Sequence, residues 1–332
     1  MGLPVAPEVL VLEKRKVERN MKIKRYFRGK NAIITGAASG IGRAFAEQLA
    51  AIGTNLVLSD INMERLEMVK QALIKYPIQV VTSLCDVTKE KDVEELAKLT
   101  VGTFKTVDFL FSNAGTAMGG HIENISMIQW QTIIQINIIG MINCVRAFLP
   151  KMLEQQSGHI IVTSSICGSI GTGGLIPYTT TKFANSGFCE ALYGECKGRG
   201  INVSIVSPFP LKTNLIEEAG IIIPPGLLDG ISPEIAKAAI NKGKQYYWEN
   251  FCARKGLISG FCGGMEVDIA VENYLRKIAN KKLYIFERWH GRFFQFVRGW
   301  WPSLYKRTLL LLGNRSIKLF DKAFEIAQSS VP

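Results

Sequence analysis

Residues 31–42 read NAIITGAASGIG, and the fold turns on them. An apolar run, Ala32-Ile33-Ile34, ends in Thr35 and passes into a turn carrying Gly36, Gly40 and Gly42. Ala44, Phe45, Leu49 and Ile52 then recur at helical spacing. Strand, glycine turn and helix form the context in which such a motif has meaning. Gly36 allows a sharp turn, Gly40 lets backbone approach a pyrophosphate, and Gly42 allows close helix–strand packing. Free N–H groups and the dipole at the helix start favour a phosphate there. The same glycines also suit a purely structural turn. The next strand bears on the choice: Asn55-Leu56-Val57-Leu58-Ser59 is apolar and ends at Asp60, eighteen residues after Gly42. An acid about 20 residues on is placed to meet ribose hydroxyls. Nucleotide binding is the expectation.

The pattern repeats along the chain. Strands are expected over 32–35, 55–59, 78–84, 107–111, 159–164 and 201–206, alternating with helices over 41–52, 62–75, 89–101, 127–153 and 178–198. Apolar strands alternating with amphipathic helices imply an α/β fold, a doubly wound parallel sheet covered on both faces. Ligands then bind beyond the carboxyl ends of the strands. Each end carries a marked residue: Gly36, Asp60, Asp86, Asn113, Ser165 and Pro208. Asp86, with Val87, is placed for an adenine, and Asn113-Ala114-Gly115 for close passage of backbone past a cofactor. A helix N-cap for Asp86 and a simple turn for Asn-Ala-Gly are the structural alternatives.

The 332-residue chain is 47% hydrophobic, ample for a sizeable core, and carries a net charge of +12. The Lys and Arg excess lies in the N-terminal arm and the last fifty residues. Such basic ends suit nucleic acid, an anionic membrane surface, or no partner. The seven cysteines form no C-x-x-C pair and sit mostly in apolar runs, as expected of buried thiols in a reducing, cytoplasmic compartment. Three scattered histidines make a zinc site unlikely on spacing, and no metal site is expected. No signal-peptide pattern and no run of about 18 apolar residues is visible. Met21 is a possible alternative start.

Helix 178–198 opens with Tyr178-Thr-Thr-Thr-Lys182, which puts phenol and amine on one face. A nearby cation favours the phenolate and lowers a pKa of about 10. A tyrosine so tuned can exchange a proton with an alcohol or carbonyl oxygen. The spacing also occurs at Tyr26/Lys30 and Tyr193/Lys197, but only the middle pair follows a strand ending in serines. Ser165 lies thirteen residues before Tyr178, where its hydroxyl can stabilise charge on a reacting oxygen. Ser164 points the other way. Asn137 sits among isoleucines, and a buried amide there needs partners. It satisfies a backbone carbonyl or holds a water that relays protons to Lys182.

Taken in order, Thr35-Gly36-x-x-x-Gly40-x-Gly42, Ser112-Asn113-Ala114-Gly115, Asn137, Ser165, Tyr178 and Lys182 resemble the classical short-chain dehydrogenase/reductase family, over about residues 30–210 and more weakly to about 288. The resemblance implies a Rossmann-like, seven-stranded sheet and hydride transfer involving a nicotinamide. It implies a catalytic tetrad of Asn137, Ser165, Tyr178 and Lys182. Tyr178 is then the acid/base, Ser165 positions the substrate oxygen, and Lys182 lowers the tyrosine pKa and binds ribose. The candidate cofactor-binding set is Gly36, Ser39, Gly40, Ile41, Gly42, Asp60, Asp86, Val87, Asn113, Ala114, Gly115, Tyr178, Lys182, Pro208 and Thr213, the last by its family position. A homodimer or homotetramer pairing helices 127–153 and 178–198 is also implied. Two positions depart from the family pattern: Ser112 stands where Asn is common, and Phe209 follows Pro208 where Gly is common.

Asp60 accepts from both ribose hydroxyls and repels a 2′-phosphate, favouring NAD over NADP, although Arg43 lies within reach of that area. Beyond Thr213, the apolar loop 221–228 falls where the family has its substrate lid, which suggests an apolar alcohol or ketone; packing on its own core is the alternative. Residues 233–264, with Tyr246, Tyr247, Trp248 and Phe251, extend that lid. A helix at 266–280 and a strand at 283–286 close the domain. In the tail, Phe293, Phe296, Val297, Trp300 and Trp301 repeat at helical spacing opposite Arg292, Gln295 and Arg298. Pro302 breaks that helix, Gly313 stops the next, and Ile317, Phe320 and Phe324 mark a last one. A basic aromatic helix suits a membrane surface, or it docks on protein. The organisation expected is a basic arm (1–30), a Rossmann domain (31–288, lid about 209–264) and a helical tail (289–332). Against the oxidoreductase reading stand a catalytically idle NAD-binding sensor or scaffold, a nucleic-acid binder, which lacks any recognisable module, and sugar-nucleotide epimerase or dehydratase chemistry, which the glycine spacing disfavours.

Overall fold

The computed structural model of the chain describes residue 18 and residues 21–211, 220–222, 224, 227–228, 230–252 and 265–330. Its strands are β1 (Asn31–Thr35), β2 (Asn55–Asp60), β3 (Val80–Leu84), β4 (Phe109–Ser112), β5 (Met118–Gly119), β6 (Gly158–Thr163), β7 (Ile201–Val206), β8 (Gly220–Ile221) and β9 (Tyr284–Ile285). Seven of them form one parallel sheet in the order β3-β2-β1-β4-β6-β7-β9, with β5 and β8 pairing apart. The helices are α1 (Gly40–Ile52), α2 (Met63–Leu73), α3 (Glu90–Phe104), α4 (Met127–Glu154), α5 (Ile176–Cys196), α6 (Pro233–Cys252), α7 (Val267–Ala279), α8 (His290–Trp300) and α9 (Pro302–Ser329). The doubly wound Rossmann-like sheet with helices on both faces is therefore present, and C-terminal helices follow it.

Register explains the two-sided core. Ile33 pairs with Val57 on one side and Leu110 on the other. All three reach one face, where Val93 of α3, Phe148 of α4 and Leu192 of α5 cover them. Ile34, Leu58 and Phe111 reach the opposite face, under Phe45 of α1, Leu66 of α2 and Tyr274 of α7. Side chains alternate along each strand, so a sheet covered on both faces needs uninterrupted apolar strands. Among the described residues α4 is the one helix long and apolar enough to cross a membrane. Here it serves as a core helix, with Met141, Cys144, Val145, Phe148 and Met152 buried.

One expectation needs correction, and two features add to the reading. Residues 233–252, inside the expected lid, form the helix α6. The two-residue pair β5–β8 lies outside the expected strands. Gly313 does not stop a helix: α9 runs unbroken from Pro302 to Ser329. Glycine inside a helix costs about 1 kcal/mol, but packing outweighs it here. Phe320 lies against Tyr247 of α6 with ring centroids 4.2 Å apart, and the Tyr247 hydroxyl meets Ser316 Oγ at 3.0 Å. A Cβ on Gly174 would lie 2.7 Å from the Phe320 ring, so the loop before α5 must carry glycine there. His121 binds Asp321 at 2.8 Å on the same seam.

The N-terminal side is anchored too. Residues 21–27 are helical, and Ile23 and Phe27 are buried in the sheet core. Tyr26 donates to His159 Nδ1 at 3.0 Å, His159 Nε2 donates to Ser204 Oγ at 2.8 Å, and Ser204 donates to the Lys282 carbonyl. That chain fixes a neutral imidazole. Burial, with Lys281 and Lys197 nearby, lowers the His159 pKa to about 3. In the unfolded chain it returns to about 6.5. Between those values only the unfolded chain takes up the proton, so stability is full above the higher value and is lost as pH falls toward the lower one. Thermal melts of the wild type should show Tm dropping through that window. His159→Gln should melt lower at neutral pH but with a flatter dependence; an equally steep one would exclude His159 as the source.

Candidate active site

The glycine turn is closed by its neighbours. Gly36 has φ of +65°, and a Cβ on Gly42 would lie 2.1 Å from the Gly36 carbonyl oxygen, so α1 starts in contact with the end of β1. The N-cap of α1, Ser39, makes no side-chain capping bond, and no acid lies in the first turn. Its first N–H groups are thus available to an anion, as a pyrophosphate requires. Asn113 Nδ2 donates to the carbonyls of Thr35 (3.1 Å) and Gly36 (3.3 Å), and its Oδ1 accepts from Thr163 Oγ1 (3.0 Å). Thr35 Oγ1 accepts from the amides of Asn113 and Ala114, both at 3.1 Å. Asn113 is therefore a pin between β1, β4 and β6, a role its sequence position did not disclose.

Beyond the strand ends lies a cleft of about 1140 Å³. Gly36, Ser39, Gly40, Ile41, Asp60, Asp86, Val87, Asn113, Ala114, Gly115 and Pro208 line it together with Ser165, Tyr178 and Lys182. Asp60 Oδ2 accepts from the Ala38 amide and Oδ1 from the Asn62 amide, each at 3.0 Å, which fixes the carboxylate at the cleft wall. Arg43 is paired with Glu47 at 2.8 Å, and Arg65, unnoticed in the sequence, lines the same end. Asp86 accepts from the amide and hydroxyl of Thr88. Burial alone would raise its pKa, but those bonds and Lys89 hold it below the ordinary value. It makes a local turn, while Lys89 is the N-cap of α3. Thr213 lies outside the described residues.

α4 is not regular throughout: Gln135–Ile139 form a π turn with Asn137 inside it. Such turns re-aim side chains, often at functional sites. Asn137 Nδ2 donates to the Thr116 carbonyl (2.9 Å) and Thr181 Oγ1 (3.0 Å), and Oδ1 accepts from the Thr116 amide (2.8 Å). The side chain thus ties α4 to the segment after β4 and to α5, directly satisfying a backbone carbonyl.

Tyr178 is in the first turn of α5, pre-set by Pro177, and is buried among Ile166, Cys167, Met118, Phe209 and Phe286. Ser165 Oγ accepts from the Cys167 amide at 3.1 Å, whereas Ser164 donates to the Lys182 carbonyl at 3.0 Å on the far side. Lys182 Nζ lies 5.6 Å from the Tyr178 ring and donates to the Thr163 carbonyl at 3.0 Å. The other two Tyr-x-x-x-Lys pairs hold their amines at 5.6 Å and 5.8 Å from the ring, so spacing alone sets that distance. Only the middle pair lines the cleft. Electrostatics differ from expectation. Burial, with Cys167 adding to it, pushes the Tyr178 phenol up, and only the Ser165 hydrogen bond opposes. Burial lowers Lys182 to about 8. The phenol is thus held protonated, because desolvation outweighs the attraction of an ammonium turned toward Thr163.

The cleft continues into apolar surface that sequence reading had not assembled: Phe209, Tyr247, Phe293, Phe294, Leu311 and Phe320 line this end. α8 and α9 therefore contribute to the wall. Trp248 and Phe251 side chains lie outside the described residues, as do Ile223, Pro225 and Gly226 of the expected lid. Cys85, Cys144, Cys167, Cys189 and Cys196 are buried free thiols.

The family model for short chain dehydrogenases matches residues 30–220. The chain belongs to that family. It is 36% identical over 192 residues to an uncharacterized oxidoreductase of Listeria monocytogenes, covering 57% of this chain and 77% of the relative. A Staphylococcus aureus uncharacterized oxidoreductase is 37% identical over 179 residues, covering 54% and 77%. Among solved structures, a short-chain dehydrogenase/reductase from Burkholderia phymatum in complex with NAD has a TM-score of 0.67 at 29% identity, covering 82% of this chain and 92% of that one. Levodione reductase, at 24% identity, has a TM-score of 0.64 over 78% and 96% and shares the fold. This short-chain dehydrogenase is thus a nucleotide-binding oxidoreductase.

Asn137→Ala would strand the Thr116 amide and carbonyl, while the Thr181 hydroxyl keeps the Tyr178 carbonyl. A lost partner leaves a buried group short by about 1–3 kcal/mol. Urea unfolding should therefore show an unfolding free energy lower by at least that size; a loss within error would remove Asn137 as the tie between α4 and α5.

Proposed function

We propose that this oxidoreductase uses NAD to interconvert an apolar secondary alcohol and its ketone, with Tyr178 as the acid/base. The observation that carries the reading is the convergence of Ser165, Tyr178 and Lys182 in a cleft with an uncapped helix start and Asp60 at one end and apolar walls at the other. Bound there, a nicotinamide would supply the two-electron chemistry of the reaction. Tyr178, protonated by its burial, donates to a carbonyl oxygen in reduction; Ser165 hydrogen-bonds that oxygen. Lys182, whose Nζ lies 5.6 Å from the phenol ring, would hold positive charge beside it and bind the ribose. Asp60 favours a free 2′-hydroxyl. The apolar end suits steroid, retinoid or long-chain substrates.

Tyr178→Phe should cut turnover of long-chain or steroidal secondary alcohols by about a hundredfold or more, followed by nicotinamide absorbance, while NADH binding holds. Binding without wild-type turnover across such a panel would favour the sensor reading.

Residues 31–288 then form the catalytic unit and 289–332 an appended tail. Exposed Met127 and Ile128 at the start of α4 suit pairing of copies into a homodimer or homotetramer. We also propose that α8 meets an anionic membrane surface. Trp289, Phe296, Trp300 and Trp301 are 66%, 48%, 74% and 58% exposed, while Val297 turns inward. Arg292, Arg298, Lys306 and Arg307 are exposed beside them, and no Asp or Glu occurs between Glu287 and Asp321. Apolar insertion plus basic attraction is the chemistry of interfacial helices. The protein should co-sediment with vesicles containing phosphatidylserine, less at high salt and less as Trp300→Ser/Trp301→Ser. Equal partitioning of wild type and double variant would refute the contact.

A further inference from the structure

Glu287 is a buried carboxylate with no part in the roles above. It lies two residues beyond the last strand of the sheet and precedes α8, outside the matched family segment. Its Oε1 accepts from the Phe209 amide at 2.6 Å, and its Oε2 accepts from the Tyr274 hydroxyl at 2.8 Å. Both oxygens act as acceptors, as in an ionised carboxylate. Burial raises its pKa, opposed by the bonds from Tyr274, its own backbone and Phe209 and by Arg288. Lys277 on α7 also approaches, donating to the carbonyl of Phe286.

Phe209 lies three residues beyond the end of β7 at Val206. Its ring is 6% exposed and packs in the cluster that holds Tyr178, Ile166 and Phe286. It also lines the cleft. A charge-assisted hydrogen bond fixes the backbone beneath the ring, and the neighbouring side chains fix the ring itself. The cleft beside Tyr178 is therefore narrowed by an immobile aromatic wall. Its other apolar end runs on toward Tyr247, Leu311 and Phe320.

We infer that Glu287 is a positioning residue that clamps Phe209 as a specificity wall, selecting secondary alcohols or ketones with one small and one long apolar substituent. The substrate part rests on the oxidoreductase reading; the clamp does not. The small substituent lies against Phe209 and the long one extends toward α9.

Two measurements test this separately. Hydrogen exchange across residues 205–211 should speed up by about tenfold or more in Glu287→Ala and remain near wild type in Glu287→Gln, which keeps an acceptor for the Phe209 amide. Unchanged exchange in Glu287→Ala, or equal speeding in both variants, overturns the clamp. For the wall, kcat/KM is compared for 2-decanol and 5-decanol. The wild type should prefer 2-decanol. Phe209→Gly, which leaves Glu287 intact, should reduce that preference by about tenfold or more, mainly by improving 5-decanol. Glu287→Ala should shift it the same way, Glu287→Gln should restore it, and NADH affinity should hold throughout. An unchanged ratio in Phe209→Gly overturns the wall. A wild type that turns over neither alcohol defeats the substrate assignment; the oxidoreductase reading fails with it only if the steroidal alcohols are not turned over either, and the exchange result still decides the clamp.

Discussion

The amide of Asn113 holds the three strand ends on which the site is built. It reaches back to the carbonyls of Thr35 and Gly36 and takes the hydroxyl of Thr163 from β6. Parallel strands present their last carbonyls and amides on the same edge, and those groups need partners once the ladder ends. One side chain meets several of these needs and sets the height of the glycine turn against its neighbours. The turn in turn sets the start of α1, because no Cβ fits between Gly42 and the Gly36 carbonyl. Lys182 then takes the Thr163 carbonyl, so the amine beside Tyr178 is referenced to the same strand end. The glycine turn and the Tyr178–Lys182 pair are linked through a few hydrogen bonds rather than through loops.

Much of this was legible because burial on both faces forces strand centres such as 32–34 and 56–58 to be continuously apolar, while the covering helices stay amphipathic. The catalytic candidates were legible because their roles require particular residue types at strand ends and in a first helical turn. What was not legible depends on contacts remote in sequence. Gly313 reads as a stop, yet α9 continues through it because Tyr247, far earlier in the chain, stacks on Phe320. Asn137 reads as one residue in a long helix; its π turn appears only when Thr116 and Thr181 are in place. Glu287 gives no local signal, since its meaning lies in an amide 78 positions away.

The tail follows the same logic of burial, divided between two helices. α9 buries Phe320, Ala323, Phe324 and Ala327 against the body, while Leu304, Leu310 and Leu311 in its first half stay exposed. α8 turns Phe294 and Val297 inward and leaves its larger aromatics outside. The helical periodicity in the sequence was correct, but the stripe it picked out is largely the outward one. Scattered exposed apolar residues are ordinary, whereas contiguous aromatic ones flanked by cations are not.

Burial also governs the chemistry. A tyrosinate alone in this cavity is costly, and so is an ammonium alone, which is why the phenol is raised and Lys182 is lowered. Formed together, the two charges relieve each other across a short distance in a medium that screens poorly. Proton loss from Tyr178 is therefore favoured only while Lys182 remains charged, and the amine in turn is best retained when negative charge appears on the phenol or on the oxygen that it serves. Tyr193 and Lys197 hold the same spacing, with Lys197 exposed, but they lie away from the cleft. The Tyr-x-x-x-Lys spacing is common to both pairs, and depth in the cleft sets one of them apart, which is what the proposed acid/base role of Tyr178 requires.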